Sequence, residues 1–207
     1  TRRSSDLTRS MLALIMAGGQ GSRLRMGEKP LVTICERPML SYVIDAFGSA
    51  GHEVVVVASH RTPFTKNWCR VRGILLYEAE GLGYVEDIRA AAEDLGEEGT
   101  PFFTCVSDLP CLAPDIIAGV EDAWRRTGTP ACSTWVPRDL CEEHGCRTHY
   151  TETVDGTPAC PAGINILTAG DLDGPQEELR LLLHDRRLVF NINTREELAL
   201  VQEYLCR

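Results

Sequence analysis

From Met11 onward the apolar positions keep two periods in turn. Met11 to Met16 form an apolar run that suits a buried strand, and Val54 to Ala58 is a β-branched run of the kind a sheet covers on both faces. Ile74 to Tyr77, Phe102 to Ser107, Ala131 to Val136 and Ala162 to Leu167 predict further strands. Between them apolar residues recur at helical spacing: Met39, Leu40, Val43, Ile44 and Phe47; then Val85, Ile88, Ala92 and Leu95; then Ile117, Val120 and Trp124. Pro38, Thr62-Pro63, Tyr84 and Pro114 mark helix starts. A helix is expected from about Pro175 to His184, then a short strand from Leu188 to Asn193, then a last helix through Leu205 opened by the capping box of Thr194 and Glu197. Strands alternating with helices predict an α/β three-layer sandwich with a mostly parallel sheet. Residues 137–160 lack an apolar period and read as an excursion from that sheet.

In such a sheet ligands sit at the carboxyl ends of strands. The first strand runs into Ala17-Gly18-Gly19-Gln20-Gly21-Ser22-Arg23, with Glu28-Lys29-Pro30 close behind. Glycines let successive amides approach phosphate oxygens, and Arg23 and Lys29 add full charges. A tight strand-to-helix connection would also use glycines, but it has no need of the spaced Arg and Lys-Pro. The pattern is neither a P-loop nor a dinucleotide fingerprint. It resembles the signature of sugar-phosphate and cofactor nucleotidyltransferases, which bind a nucleoside triphosphate. Gly81-Leu82-Gly83-Tyr84 forms a second loop at a strand end. Asp108 follows the fourth strand, where a carboxylate can hold a hard cation against phosphates, although an Asp-Leu-Pro turn would account for it too. Asn191 and Asn193 flank Ile192 and share one face if that segment is a strand.

The chain has 207 residues, room for one domain with a substantial core, here residues 11–207 after a polar extension over 1–10. It holds 43% hydrophobic and 25% charged residues and no run long enough to span a membrane, which fits a cytoplasmic protein. A formal charge of −9 argues against a general nucleic-acid binder. Nine cysteines are many, and Cys35, Cys69, Cys105, Cys132 and Cys206 are read as buried reduced thiols. Cys141, His144, Cys146 and His149 bring four donors of the type zinc accepts within nine residues, at a spacing tighter than the usual paired knuckles; a cysteine-rich surface loop is the alternative.

The segments LIMAGGQGSRL with EKPL, GLGYVED, SDL, PAGIN and FNINT together resemble the archaeal GTP:adenosylcobinamide-phosphate guanylyltransferases. The opening loop and the FNINT ending are similar to the molybdenum-cofactor guanylyltransferases as well. The resemblance implies a Rossmann-like sheet of the nucleotide-diphospho-sugar transferase type, and transfer of GMP from GTP to adenosylcobinamide phosphate with Mg²⁺ as cofactor. Arg23, Lys29 and Asp108 would be catalytic. Backbone groups at Leu14, Ala17, Gly18, Gly19, Gly21, Gly81 and Gly83 would bind nucleotide with Tyr84, Glu86 and Asp87, the two acids being either readers of guanine or simple helix N-terminal charges. Gly163 and Asn165 would approach the cobinamide phosphate or the GTP ribose, Asn191 and Asn193 would bind substrate, and Asp108 would hold the metal, with Asn193 as a second ligand. A homodimer is the default on base rates. Another cofactor or sugar-phosphate nucleotidyltransferase, and a GTP-binding module without turnover, are the rival functions.

Overall fold

The computed structural model describes residues 10–19, 24–96, 99–146, 150–170, 174 and 176–206. In chain order its elements are β1 (Leu12–Met16), a 3₁₀ turn (Lys29–Leu31), β2 (Thr33–Ile34), β3 (Arg37–Pro38), α1 (Met39–Ser49), β4 (Glu53–Ser59), α2 (Pro63–Val71), β5 (Leu76–Ala79), α3 (Tyr84–Asp94), β6 (Pro101–Val106) and α4 (Pro114–Thr127). There follow β7 (Ala131–Pro137), α5 (Arg138–Glu143), β8 (Glu152–Val154), β9 (Thr157–Thr168), β10 (Glu178–Leu182), a 3₁₀ turn (Arg186–Leu188) and α6 (Arg195–Leu205).

One eight-stranded sheet runs in the order β10-β7-β9-β6-β1-β4-β5, with β8 paired to β9. Strands β5, β4, β1 and β6 are mutually parallel, so Ala79, Ser59, Met16 and Val106 all end on one side of the molecule. Strand β9 runs antiparallel to both β6 and β7, and β10 lies parallel to β7 at the edge. Side chains alternate between the two faces, as the period of a strand requires. Ala13, Ile15, Val56, Phe103 and Cys105 meet α1, α4 and α6 in the larger core, whereas Leu14, Val55, Val57 and Phe102 meet Ile88, Ala91 and Ala92 of α3. The three expected layers are present.

Three expectations need correction. The segment read as a helix over 175–184 is an edge strand from Glu178, although Pro175 itself is outside the described residues. Leu179 to Leu182 are strong helix formers, but pairing with Cys132 to Trp135 of β7 wins over propensity. Leu188 to Asn193 is not a strand: a 3₁₀ turn leads into a chain held by single bonds, Asn191 N to Val189 O at 2.9 Å and Ile192 N to Asp108 O at 3.2 Å. Cys35 and Cys206 are not free thiols but a disulfide, which ties the β2–β3 turn to the end of α6 with a Cα–Cα distance of 5.6 Å. Cys69, Cys105 and Cys132 are free and buried, as expected. The excursion after β7 is partly regular, since α5 and the β8–β9 hairpin fill it. Of the polar extension only Ser10 is among the described residues.

Candidate active site

At the carboxyl ends of β1, β5 and β6 lies a cleft of ≈ 230 Å³. Gly18 and Gly19 floor it from the first loop, Gly81, Gly83 and Tyr84 wall it from the second, and Asp108 closes it beyond β6. Asp87 lies at its rim, where its Oδ1 accepts hydrogen bonds from the Gly81 and Leu82 amides at 3.1 and 3.3 Å. That carboxylate therefore shapes the glycine loop. Glu86 is exposed and folds back over Gly83, in the space a Cβ there would take. Helix α3 begins at this loop, so its amino-terminal amides and partial positive charge face the cleft. Glycine is required at 81: its φ is +76°, and a Cβ would stand 3.1 Å from Ser59 and 3.2 Å from the His60 ring.

Beside this cleft the chemistry converges. Lys29 Nζ forms an ion pair with Asp108 Oδ2 and donates to Asn193 Oδ1 at 2.8 Å. Asn193 Nδ2 donates to Asn191 Oδ1 at 2.8 Å, so the two amides do share a face without a strand to place them. The capping box fixes Asn193 from below, because Glu197 Oε2 accepts from the Asn193 amide at 2.7 Å and from the Thr194 amide at 3.0 Å. Residues 29, 108 and 193 thus meet from three distant parts of the chain. On the far side of this contact a second cleft, ≈ 180 Å³, is lined by Asn191 and Asn193 with Cys141, Cys146, Cys160 and Tyr150.

Asp108 Oδ1 is buried with no hydrogen-bond partner among the described residues. An anionic oxygen left so is costly, and the adjacent carboxamide oxygen of Asn193 is a second hard donor. This set fits Mg²⁺, which takes one or two carboxylate or amide oxygens and completes its shell with water and phosphate.

Other expected site residues are placed differently. Leu14 is fully buried in mid-β1, paired with Val55 and Thr104, and belongs to the core rather than to the cleft wall. Ala17 is buried, and its amide donates to Val57 O at 2.8 Å. Gly163 has φ +87°, and a Cβ there would meet Val106 Cγ2 at 2.6 Å, so close packing of β9 on β6 explains it by itself. Asn165 sits in mid-β9 between Thr104 and Ser133. Gly21 and Arg23 lie outside the described residues.

Of the zinc candidates, Cys141, His144 and Cys146 are among the described residues and form no such site there. Among the described residues no group of three His, Cys, Asp or Glu is arranged to hold a metal, and His149 lies outside them. Cys141 and Cys146 are buried instead, their thiols pushed up to about 12 and about 11 chiefly by desolvation. The His144 ring rests against Phe190 at 5.9 Å.

Three contributors were missed by sequence reasoning. Arg61, just past β4, lines the first cleft and brings a cation to it. Ser59 Oγ donates to Gly18 O at 2.8 Å and accepts from the Arg61 amide at 3.2 Å, joining the first loop to that segment. Glu28 caps α2, accepting from the Phe64 and Thr65 amides at 2.8 and 2.7 Å, and so anchors the turn that carries Lys29. Their common signal is the end of a parallel strand or the residue beside a motif lysine. A larger hollow of ≈ 460 Å³ opens at the amino ends of the strands, against Met11, Glu53, Pro101 and Arg125, and none of the expected site residues lines it.

Comparison with known proteins bears on the family and the fold. The MobA-like NTP transferase domain matches residues 13–160. The adenosylcobinamide-phosphate guanylyltransferase of Methanocaldococcus jannaschii is 31% identical over 206 residues, covering 94% of this chain and 97% of that protein. A mannose-1-phosphate guanyltransferase of Eremothecium gossypii is 34% identical over 116 residues, 50% of this chain and 32% of its own length. Among solved structures, a hypothetical transferase from Thermus thermophilus superposes with a TM-score of 0.68 at 17% identity, covering 91% of this chain and 99% of that one. CMP:2-keto-3-deoxy-manno-octonic acid synthetase complexed with CTP gives 0.70 at 13% identity, with coverage of 95% and 98%. At such identities the structures speak for the fold alone, but the domain match covers more than half of the chain and the first relative nearly all of it: the chain belongs to the MobA-like NTP transferase family and is a nucleotidyltransferase.

Proposed function

We propose that this protein transfers GMP from GTP to adenosylcobinamide phosphate, releasing pyrophosphate, in cobalamin biosynthesis. The observation that carries the reading is the meeting of Lys29, Asp108 and Asn193 between two clefts, in a chain that matches such a guanylyltransferase over 94% of its length. The first cleft would take GTP on its glycine floor, with Arg23, Arg61 and the α3 amino terminus as countercharge. The second would bring the acceptor phosphate to Asn191 and Asn193.

The acceptor phosphate is already anionic, so in-line attack on the α-phosphorus requires alignment and charge stabilisation rather than a strong base. Lys29 would leave Asp108 and neutralise the α-phosphate as charge develops there. Mg²⁺ held by Asp108, with Asn193 beside it, would offset phosphate charge and aid departure of pyrophosphate. Asp87, which accepts from the Gly81 and Leu82 amides, would hold the second glycine loop beside the base, with Glu86 next to it. The mannose-1-phosphate enzymes match only half of this chain, which favours the corrinoid acceptor.

The test supplies GTP and Mg²⁺ with adenosylcobinamide phosphate, molybdopterin or mannose 1-phosphate in turn, and identifies the product by mass spectrometry. The expected result is adenosylcobinamide-GDP with one pyrophosphate per turnover. A guanylylated product only from one of the other acceptors would overturn the assignment while keeping the enzyme class.

A further inference from the structure

Asp108 is bound by a cation in the free protein. The Lys29 ammonium pairs with Asp108 Oδ2 and the Asn193 amide oxygen, and both ends of the ion pair are 13% exposed. Those are the oxygens a divalent ion would use. Asn193 is fixed in that pose from both sides, by Asn191 at its amide nitrogen and by Glu197 at its backbone. A monovalent ammonium and a divalent ion placed on one carboxylate repel each other strongly in a half-buried site. A partly buried carboxylate stripped of its counter-ion is costly in turn.

We propose that Lys29 is the resident counter-ion of Asp108, keeping divalent metal off the free protein until a triphosphate draws the ammonium away. The inference rests on the triphosphate-and-metal reading above and deepens it. Once Lys29 turns to the phosphates, Asp108 Oδ2 and Asn193 Oδ1 are released beside Asp108 Oδ1, which has no partner among the described residues, and three oxygens then face the incoming ion. Metal and nucleotide therefore bind with positive linkage, each raising the affinity of the other by the same factor. The same motion delivers Lys29 to the phosphates, so metal loading and lysine delivery are one event.

The experiment measures Mn²⁺ binding to the nucleotide-free protein by the loss of free Mn²⁺ signal in electron paramagnetic resonance. Wild type binds weakly. Lys29→Met, which keeps the length and removes the charge, binds Mn²⁺ at least tenfold more tightly, and adding Asp108→Asn abolishes the gain. Lys29→Gln serves as a second variant, since it retains a hydrogen-bond donor to Asp108, and Mn²⁺ raises the melting temperature of either variant more than that of wild type. Unchanged or weaker Mn²⁺ binding by folded Lys29 variants overturns the proposal. Failure of the function reading looks different: no GMP transfer by wild type, while the Lys29 variants still gain Mn²⁺.

Discussion

Lys29 and Asp108 were legible in the sequence because each lies where chemistry and topology coincide, the one after a glycine loop and the other just beyond an apolar strand. Their meeting was not legible, since contact between residues 79 positions apart depends on how β1 and β6 pair. Lys29→Ala should reduce turnover by about 10²-fold or more with a smaller change in GTP affinity, as for other lost electrostatic stabilisers. Pyrophosphate release and equilibrium GTP titration separate the two effects, and full turnover in a folded variant would remove Lys29 from the reaction. Gly163 teaches the opposite lesson. Resemblance implied a contact with the acceptor phosphate or the GTP ribose, while the structure shows a left-handed backbone and a Cβ position blocked by Val106. Gly163→Ala should therefore cost stability, on the order of 1–3 kcal/mol, whether or not substrate is present. Chemical denaturation checks this, and a variant of native stability with weakened acceptor binding would restore the functional role.

At the level of elements, the interior strands and the β5 edge were readable from their apolar runs, and the opposite edge, β10, was not. The leucines of β10 carry no pattern that separates an edge strand from a helix, and only the exposed flank of β7 decides between them. The β8–β9 hairpin had a readable signal that went unused: Asp155-Gly156, both at positive φ, form a two-residue turn of the type Asp-Gly favours. A further property belongs to the junction of α1, β1 and α4. There His52 is buried, its Nδ1 accepts from the Met11 amide at 3.3 Å, and its Nε2 faces Glu121 Oε2 at 3.5 Å. Desolvation lowers the His52 pKa below 6.5; the Glu121 carboxylate opposes that, and Arg125 reinforces it. The unfolded chain then binds this proton more readily than the folded one. The stability His52 contributes is complete above about pH 6.5 and is lost as pH falls through the lower folded value. Melting curves from pH 7.5 to 5.5 should show wild type losing stability relative to His52→Gln. A difference that stays constant over that range would mean the imidazole does not titrate in the folded protein below its ordinary value.

Across the whole molecule, the alternation of strands and helices was enough to give the layers and to bring the two glycine loops and Asp108 together at the carboxyl ends of the strands. What one sequence could not give was the Cys35–Cys206 link, because odd cysteine counts and apolar surroundings read alike for a thiol and for half of a disulfide. The link has consequences at this scale. It closes a loop of 171 residues between the turn after Lys29 and the end of the helix whose start holds Asn193, so the two segments are joined once by the site and once covalently. In the chain-entropy account a loop of that length stabilises the fold by about 5 kcal/mol. For a domain of this size such a loss lowers the melting temperature by about 10 °C or more. Cys206 is exposed and Cys35 half-buried, while the other seven cysteines are buried. Dithiothreitol under native conditions should therefore free two thiols ahead of the rest and lower the melting temperature, and it should have little effect on a Cys35→Ala/Cys206→Ala double variant, which already melts low. Equal melting temperatures for wild type with and without reductant, once two thiols have been counted, would show that packing of α6 alone holds it to the β2–β3 turn.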